Sequence, residues 1–135
     1  MTNCRAVHVL MQVTLTGGRY FAARRSFRSP ESREQRNGRE SARLRSAAVF
    51  GNRFFAEVVV AVDRLSGPGG DGVTVRMVAA DTGLVDSVVR PVMRRLCDGG
   101  LVAEPDRAGA RSALHYRVRR TPLWAGVLSA CAALA

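Results

Sequence analysis

Lysine and isoleucine are both missing from this chain of 135 residues. All 21 basic residues are therefore arginine, and the double absence points to a GC-rich, bacterial coding sequence. The arginine preference is then partly a codon effect, and function accounts only for the remainder. Cysteine is limited to Cys4, Cys97 and Cys131, an odd number with no metal-ligand spacing, which argues against a disulfide framework and a structural zinc site. Free thiols in a reducing, cytoplasmic compartment fit that usage. Cys97 follows Arg94 and Arg95, whose charge would favour a thiolate and redox sensing, but a lone cysteine on a helix flank is more often a packing residue. The two histidines, His8 and His115, have no partner at ligand or triad spacing and the acids are scattered, so an enzyme is not expected.

No apolar run is long enough to span a bilayer, and no membrane partner is expected. An export signal is also rejected: Arg5 precedes an apolar stretch, but His8, Gln12 and the threonines interrupt it. The Arg-rich, acid-free composition of residues 1–30 mimics an organelle transit peptide, a reading that a bacterial composition disfavours. A formal G-x-G-x-x-G occurs at Gly67, Gly69 and Gly72. A dinucleotide site needs that motif between a strand and a helix, whereas here a helical pattern precedes it, so it reads as a linker. No cofactor is expected.

Charge is what the chain has in excess. The formal net charge is +10. Residues 1–45 hold ten Arg and three Glu, giving +7, and residues 46–135 hold eleven Arg and eight acids, giving +3. This division suggests a basic N-terminal extension over residues 1–45 and a folded domain over residues 46–135. Within the extension, Val7, Val9, Met11, Val13 and Leu15 alternate with mostly polar residues and predict a short strand ended by Gly17-Gly18. Arg24 to Arg45 has almost no apolar residue before Leu44 and predicts a disordered or frayed helical arm. Such an arm would add sequence-independent attraction to phosphates, although a functionless extension from an upstream start codon accounts for it equally well.

The folded part is expected to begin near Glu40 with a short helix through Phe50. Asn52 then reads as the N-cap of a helix over Arg53–Leu65 with Phe55, Val58, Val59, Val62 and Leu65 on its core face. Its valine run is β-prone, but its length and i, i+3, i+4 spacing favour helix. Thr74 caps a second helix starting at Val75, which meets a turn at Thr82-Gly83. The next helix, about Asp86–Cys97, places Val89, Met93 and Leu96 on one face, with Val85 and Val92 at its margin. Ser87, Arg90, Pro91 and Arg94 point the other way. An arginine-bearing helix on a small apolar platform suits entry into a DNA major groove, since guanidinium pairs with phosphate and bidentately with guanine. Arginine runs alone would favour an ordinary solvated face. The residues after the helix tip the balance. Gly99-Gly100-Leu101-Val102 leads into a polar span from Glu104 to Arg111, and then Leu114, Tyr116 and Val118 alternate with His115, Arg117 and Arg119, which reads as a basic hairpin.

With these residues, positions 50–135 resemble the winged helix-turn-helix transcriptional regulators of the MarR and ArsR kind. The matching features are the phrase Val49-Phe50-Gly51-Asn52-Arg53, Val73-Thr74, the turn signature Ala79 to Leu84, Val89, Met93 and Leu96, Gly100-Leu101-Val102 entering the wing and Tyr116 leaving it. The resemblance implies a mainly α fold with a small β-hairpin wing, a winged helix-turn-helix preceded by a basic, largely unstructured N-terminal region. It implies a cytoplasmic, nucleoid-associated, sequence-specific regulator of transcription bound to double-stranded DNA. The recognition helix would lie in the major groove and the wing, about Val102–Arg120, on the backbone. The expected DNA-binding residues are Thr74, Ser87, Arg90, Arg94, Arg95, Arg107, Arg111, Arg117 and Arg119. Two features depart from the family pattern. Val85 stands where Ser or Thr usually caps the recognition helix, and Pro91 sits inside that helix, a combination expected to kink it or delay its start. Finally, Thr121-Pro122 opens a helix whose stripe Trp124, Val127, Leu128, Cys131 and Leu134 must pack on its own domain or on a second subunit. The resemblance favours a homodimer, since terminal helices often build the dimer in these regulators. The competing function is a winged-helix protein-interaction or assembly module without sequence-specific DNA binding.

Overall fold

The computed structural model describes residues 32–106 and 112–135, which belong to one unit, Glu31–Ala135. The described residues form five helices, α1 (Arg33–Phe50), α2 (Phe55–Ser66), α3 (Val75–Thr82), α4 (Asp86–Asp98) and α5 (Pro122–Leu134). Between α4 and α5 lies an antiparallel hairpin of β1 (Val102–Asp106) and β2 (His115–Val118). The expectation of a mainly α chain with a small β-hairpin is met at that level. The strand expected at residues 7–16 and the first part of the expected arm lie outside the described residues.

Helix α1 starts earlier than the sequence indicated. Ser32 and Gln35 form a reciprocal capping box, Gln35 N donating to Ser32 Oγ at 3.3 Å and Ser32 N to Gln35 Oε1 at 3.1 Å. Residues 33–39, expected within a disordered or frayed helical arm, are thus a capped helix continuous with the one expected from about Glu40, and the boundary expected at 45/46 falls inside α1. Few apolar side chains are needed to dock this segment, because two of its arginines reach one carboxylate on α2: Arg43 makes two bonds to Glu57, at 3.0 and 3.3 Å, and Arg39 Nε makes one at 3.1 Å.

Helix α2 starts two residues later than expected, at Phe55, with Phe54 and not Asn52 at the cap position. The Asn52 side chain instead accepts from Phe54 N at 2.8 Å. The hydroxyl of Ser46, buried on α1, accepts from Ala56 N at 3.1 Å and donates to Asn52 O at 2.8 Å. The start of α2 is therefore satisfied by a side chain of another helix, which local sequence cannot reveal. Phe55, Val58, Val59 and Val62 of α2 are buried and form the centre of the core, with Val78 and Ala79 from α3, Val89, Val92, Met93 and Leu96 from α4, Val102, Tyr116 and Val118 from the hairpin, and Trp124 and Cys131 from α5.

Two left-handed glycines punctuate the chain next to α4. Gly83 (φ 73°) ends α3, and its N–H returns to Ala79 O at 2.9 Å. Gly100 (φ 70°) comes after α4, where Gly100 N bonds Cys97 O and Leu101 N bonds Leu96 O, the paired bonds of a Schellman turn that sends the chain directly into β1. Val73, just before α3, exchanges both backbone bonds with Tyr116 of β2 at 2.8 Å, so the entry to α3 is tied to the hairpin.

Candidate functional site

Helix α4 carries the strongest division between a buried and an exposed face. Val89, Val92, Met93 and Leu96 have no exposed surface, while Ser87, Arg90 and Arg94 are exposed. Val92, expected at the margin, is fully buried, and Val85 is 62% exposed. The helix runs continuously from Asp86 through Pro91, with its first-turn bonds intact (Val88 N and Val89 N to Val85 O at 2.9 and 3.2 Å), so its start is not delayed. Pro91 has no N–H to offer Ser87 O, and the buried face on either side of that gap holds the helix in place.

Arg95 stands apart from its neighbours. At 100° per residue it lies well round the helix from Ser87, Arg90 and Arg94. Its Nη2 reaches back to Phe50 O, 3.5 Å away at the end of α1. Thr74 is the N-cap of α3 and accepts from Met77 N at 3.2 Å, so its hydroxyl has a structural role whatever else it meets. On β2, Tyr116 and Val118 are buried while His115 and Arg117 are exposed, as is Arg119, whose N–H bonds Leu101 O at 3.0 Å. Arg107 and Arg111 lie outside the described residues.

The arginines divide by partner. Several are engaged: Arg39 and Arg43 with Glu57, Arg53 with Glu40, Arg64 with Asp81, and Arg120 with Asp63, Ser66 Oγ and Gly67 O, whereas Arg33 and Arg36 on α1 have no side-chain bond among the described residues. Arg90, Arg94, Arg117 and Arg119 have no side-chain hydrogen bond or ion pair among the described residues. Arg76, exposed on α3 opposite Val78 and Ala79, is in the same condition and was not among the expected residues. The facing rule applied to α4 would have found it, since Val78, Ala79 and Thr82 define the inward side. Unpaired guanidiniums are thus present on α3, α4 and at β2, as well as at Arg33 and Arg36 of α1, and a polyanion would be attracted to them.

A cavity of about 290 Å³ lies elsewhere, between α1, α2 and the end of α3. Its guanidiniums are largely neutralised, by Glu57 for Arg43 and Asp81 for Arg64, and its walls are Ala42, Ala56, Val60 and Ala61, so it lacks the free cations of a phosphate site. Among the described residues no three His, Cys, Asp or Glu side chains group as metal ligands.

The C-terminal stripe requires a correction. Trp124 and Cys131, expected at a dimer interface, are 2% and 0% exposed within the single chain. Trp124 Nε1 donates to Asp63 Oδ1 at 3.0 Å, and Thr121 caps α5 by accepting from Trp124 N at 3.3 Å. Val127, Leu128 and Leu134 pack partly buried against the same core. The stripe therefore faces its own domain, because α2 presents a complementary apolar surface and a carboxylate for the indole N–H. The apolar side chains left at the surface are different ones, among them Leu44, Val49 and Leu123. No helix among the described residues is long and apolar enough to cross a membrane. No protein-family model matches the chain, and neither does any curated protein or solved structure.

Proposed function

We propose that this chain is a sequence-specific regulator of transcription that binds double-stranded DNA through a winged helix-turn-helix of the MarR and ArsR kind. In this reading α3, the Gly83 turn and α4 are the helix-turn-helix, and β1 and β2 are the wing. Helix α4 enters the major groove with Ser87, Arg90 and Arg94 towards base edges, and Arg117 and Arg119 lie along phosphates. The observation that carries it is the partition of arginines. Arg90 and Arg94 on α4 and Arg117 and Arg119 at β2 are exposed and unpaired on elements whose opposite faces are locked into the core, whereas Arg39, Arg43, Arg53, Arg64 and Arg120 are bound to carboxylates. A rigid platform spares the backbone ordering cost on binding, and unpaired guanidiniums have no internal ion pair to give up. The connection between Val73 and Tyr116 supports the same reading, since it fixes α3 relative to the hairpin. Arg95, turned towards Phe50, is assigned a lesser part than Arg94.

A homodimer remains part of the proposal, with the contact moved from the buried stripe to the apolar side chains that stay exposed, Leu44 and Val49 on α1 and Leu123 on α5. Those same side chains favour the second reading, a winged-helix interaction module, if DNA proves irrelevant.

Selection from a random-sequence duplex pool tests the assignment. An enriched motif is expected, and Arg94→Ala should weaken the selected site by about 1 to 3 kcal/mol. A pool without enrichment, together with unchanged binding by Arg94→Ala, would rule the regulator out.

A further inference from the structure

The cavity of about 290 Å³ between α1, α2 and the end of α3 has no part in the face that carries Arg90 and Arg94. Its size is close to the lower end of the range of small-molecule pockets, about 300 to 1,000 Å³. The apolar wall is made of small aliphatic side chains on facing helices, Ala42 on α1 and Ala56, Val60 and Ala61 on α2. Helices with small facing residues ordinarily close up, because a void forfeits the dispersion contacts that fill a core. Ion pairs act as spacers here. Arg43 of α1 holds Glu57 of α2, Arg64 of α2 holds Asp81 of α3, and all four side chains border the same space.

Gly38 supplies an independent observation. It borders the cavity from within α1, and a Cβ built there would meet nothing within 4 Å. Its backbone is helical, so neither a positive φ nor crowding requires glycine, and glycine disfavours a helix interior. A larger residue would project into open space beside the cavity. The gap is thus kept at the expense of both packing and helix propensity.

We propose that the cavity binds a small, uncharged, mainly aliphatic molecule that carries a carbonyl group. No aromatic side chain is among the described residues that border it, so no ring is offered for stacking. The carboxylates at the wall are already occupied, Glu57 by Arg43 at 3.0 and 3.3 Å and Asp81 by Arg64. A guanidinium has five N–H groups, and Arg43 uses two of them on Glu57. The cavity therefore offers donors and calls for an acceptor oxygen. Because each of these guanidiniums is matched by a carboxylate, that oxygen needs no charge. The assignment does not depend on the regulator reading.

Titration of the full chain with 2-octanone, followed by methyl NMR spectra, tests the site. Saturable shifts are expected at the methyl groups of Ala42, Val60 and Ala61, together with a rise in Tm, since the ligand binds only the folded state. Octylammonium has the same chain length but can only donate, and it should produce neither effect. Ala42→Leu and Gly38→Leu put a side chain into the space, and each should lose about tenfold or more in affinity for 2-octanone while the Tm of the free protein is unchanged or higher. Gly38→Leu meets no neighbouring atom and keeps the test open should Ala42→Leu fold poorly. Wild-type protein without saturable shifts, or shifts that persist undiminished in the folded variants, would overturn the site. Equal binding of octylammonium would overturn the need for an acceptor, and tighter binding of octanoate than of 2-octanone would overturn the uncharged ligand.

Discussion

Single residues here are constrained by what they face as much as by their own type. Gly72 shows this: its φ is unexceptional, yet a Cβ built there would lie 2.8 Å from His115 Cβ, inside the range that real side chains keep. Gly72 precedes Val73, which is bonded on both sides to Tyr116, so neither strand can move away without breaking that bridge. Gly72→Ala is expected to cost about 1 to 3 kcal/mol, as overpacking does, and to lower the midpoint of thermal unfolding. An unchanged midpoint would mean that the hairpin yields more easily than its bonds suggest. Cys131 is constrained in another way. Burial pushes its thiol up from 9.0 to about 11 by disfavouring the thiolate. Because the folded state holds this proton more tightly than the unfolded one, the associated stability is present below pH 9 and is lost as pH rises towards 11. Iodoacetamide at pH 8 followed by peptide mapping should find Cys131 unmodified in the folded protein and modified in denaturant. Modification at equal rates in both would contradict the burial.

At the scale of elements, α4 carries the largest internal conflict. Its four fully buried side chains fix it in the core, while Val85 withholds a cap and Pro91 withholds a backbone donor. Proline inside a helix costs about 3 kcal/mol relative to alanine, and roughly 0.4 to 1 kcal/mol of that is offset because proline also restricts the unfolded chain. Pro91→Ala should therefore stabilise the protein by about 2 kcal/mol, read from the denaturant midpoint at constant m-value. A destabilised variant would show that the helix is curved around Pro91 and needs that shape. The other junctions are secured by polar contacts. Asp63 on α2 receives both Arg120 and the indole of Trp124, joining the end of the hairpin and the first turn of α5 to the same carboxylate. Ser46 does the same between α1 and α2. These contacts join different elements, those of Asp63 across about half the chain, and for that reason no reading of periodicity or local capping reveals them.

Over the whole molecule, what matters is which positive charges remain available. A formal +10 says little, since Arg39, Arg43, Arg53 and Arg64 spend their charge on Glu57, Glu40 and Asp81. The guanidiniums of Arg76, Arg90, Arg94, Arg117 and Arg119 stay unpaired on α3, α4 and at β2. Removing one phosphate-contacting arginine should lower the slope of log K against log salt by about 1 and weaken all sequences alike. Arg117→Ala, measured by titrating fluorescent duplexes over a series of salt concentrations, should show that uniform loss, in contrast to the site-selective loss expected for Arg94→Ala. Arg53→Ala should leave the slope unchanged, because its charge is already matched by Glu40. An equal effect of Arg53→Ala and Arg117→Ala would mean that binding senses net charge and not the proposed face.

By itself the sequence determined the elements from α2 onward and their inward faces, because apolar spacing at 3.6 or 2 residues and hydroxyl or glycine punctuation are local properties of the chain. It identified Thr74 and Thr121 as caps, Val89, Met93 and Leu96 as the inner side of α4, and Tyr116 and Val118 as the inner side of β2. Only the tertiary structure decided that the first helix starts at Arg33, that α2 begins at Phe55, that Trp124 and Cys131 face their own core, and that Arg95 turns to Phe50 while Arg76, Arg90 and Arg94 stay unpaired. The docked features depend on partners elsewhere in the chain, such as Glu57 for Arg43 or Asp63 for Trp124, and such an interaction leaves no mark in either segment's own pattern.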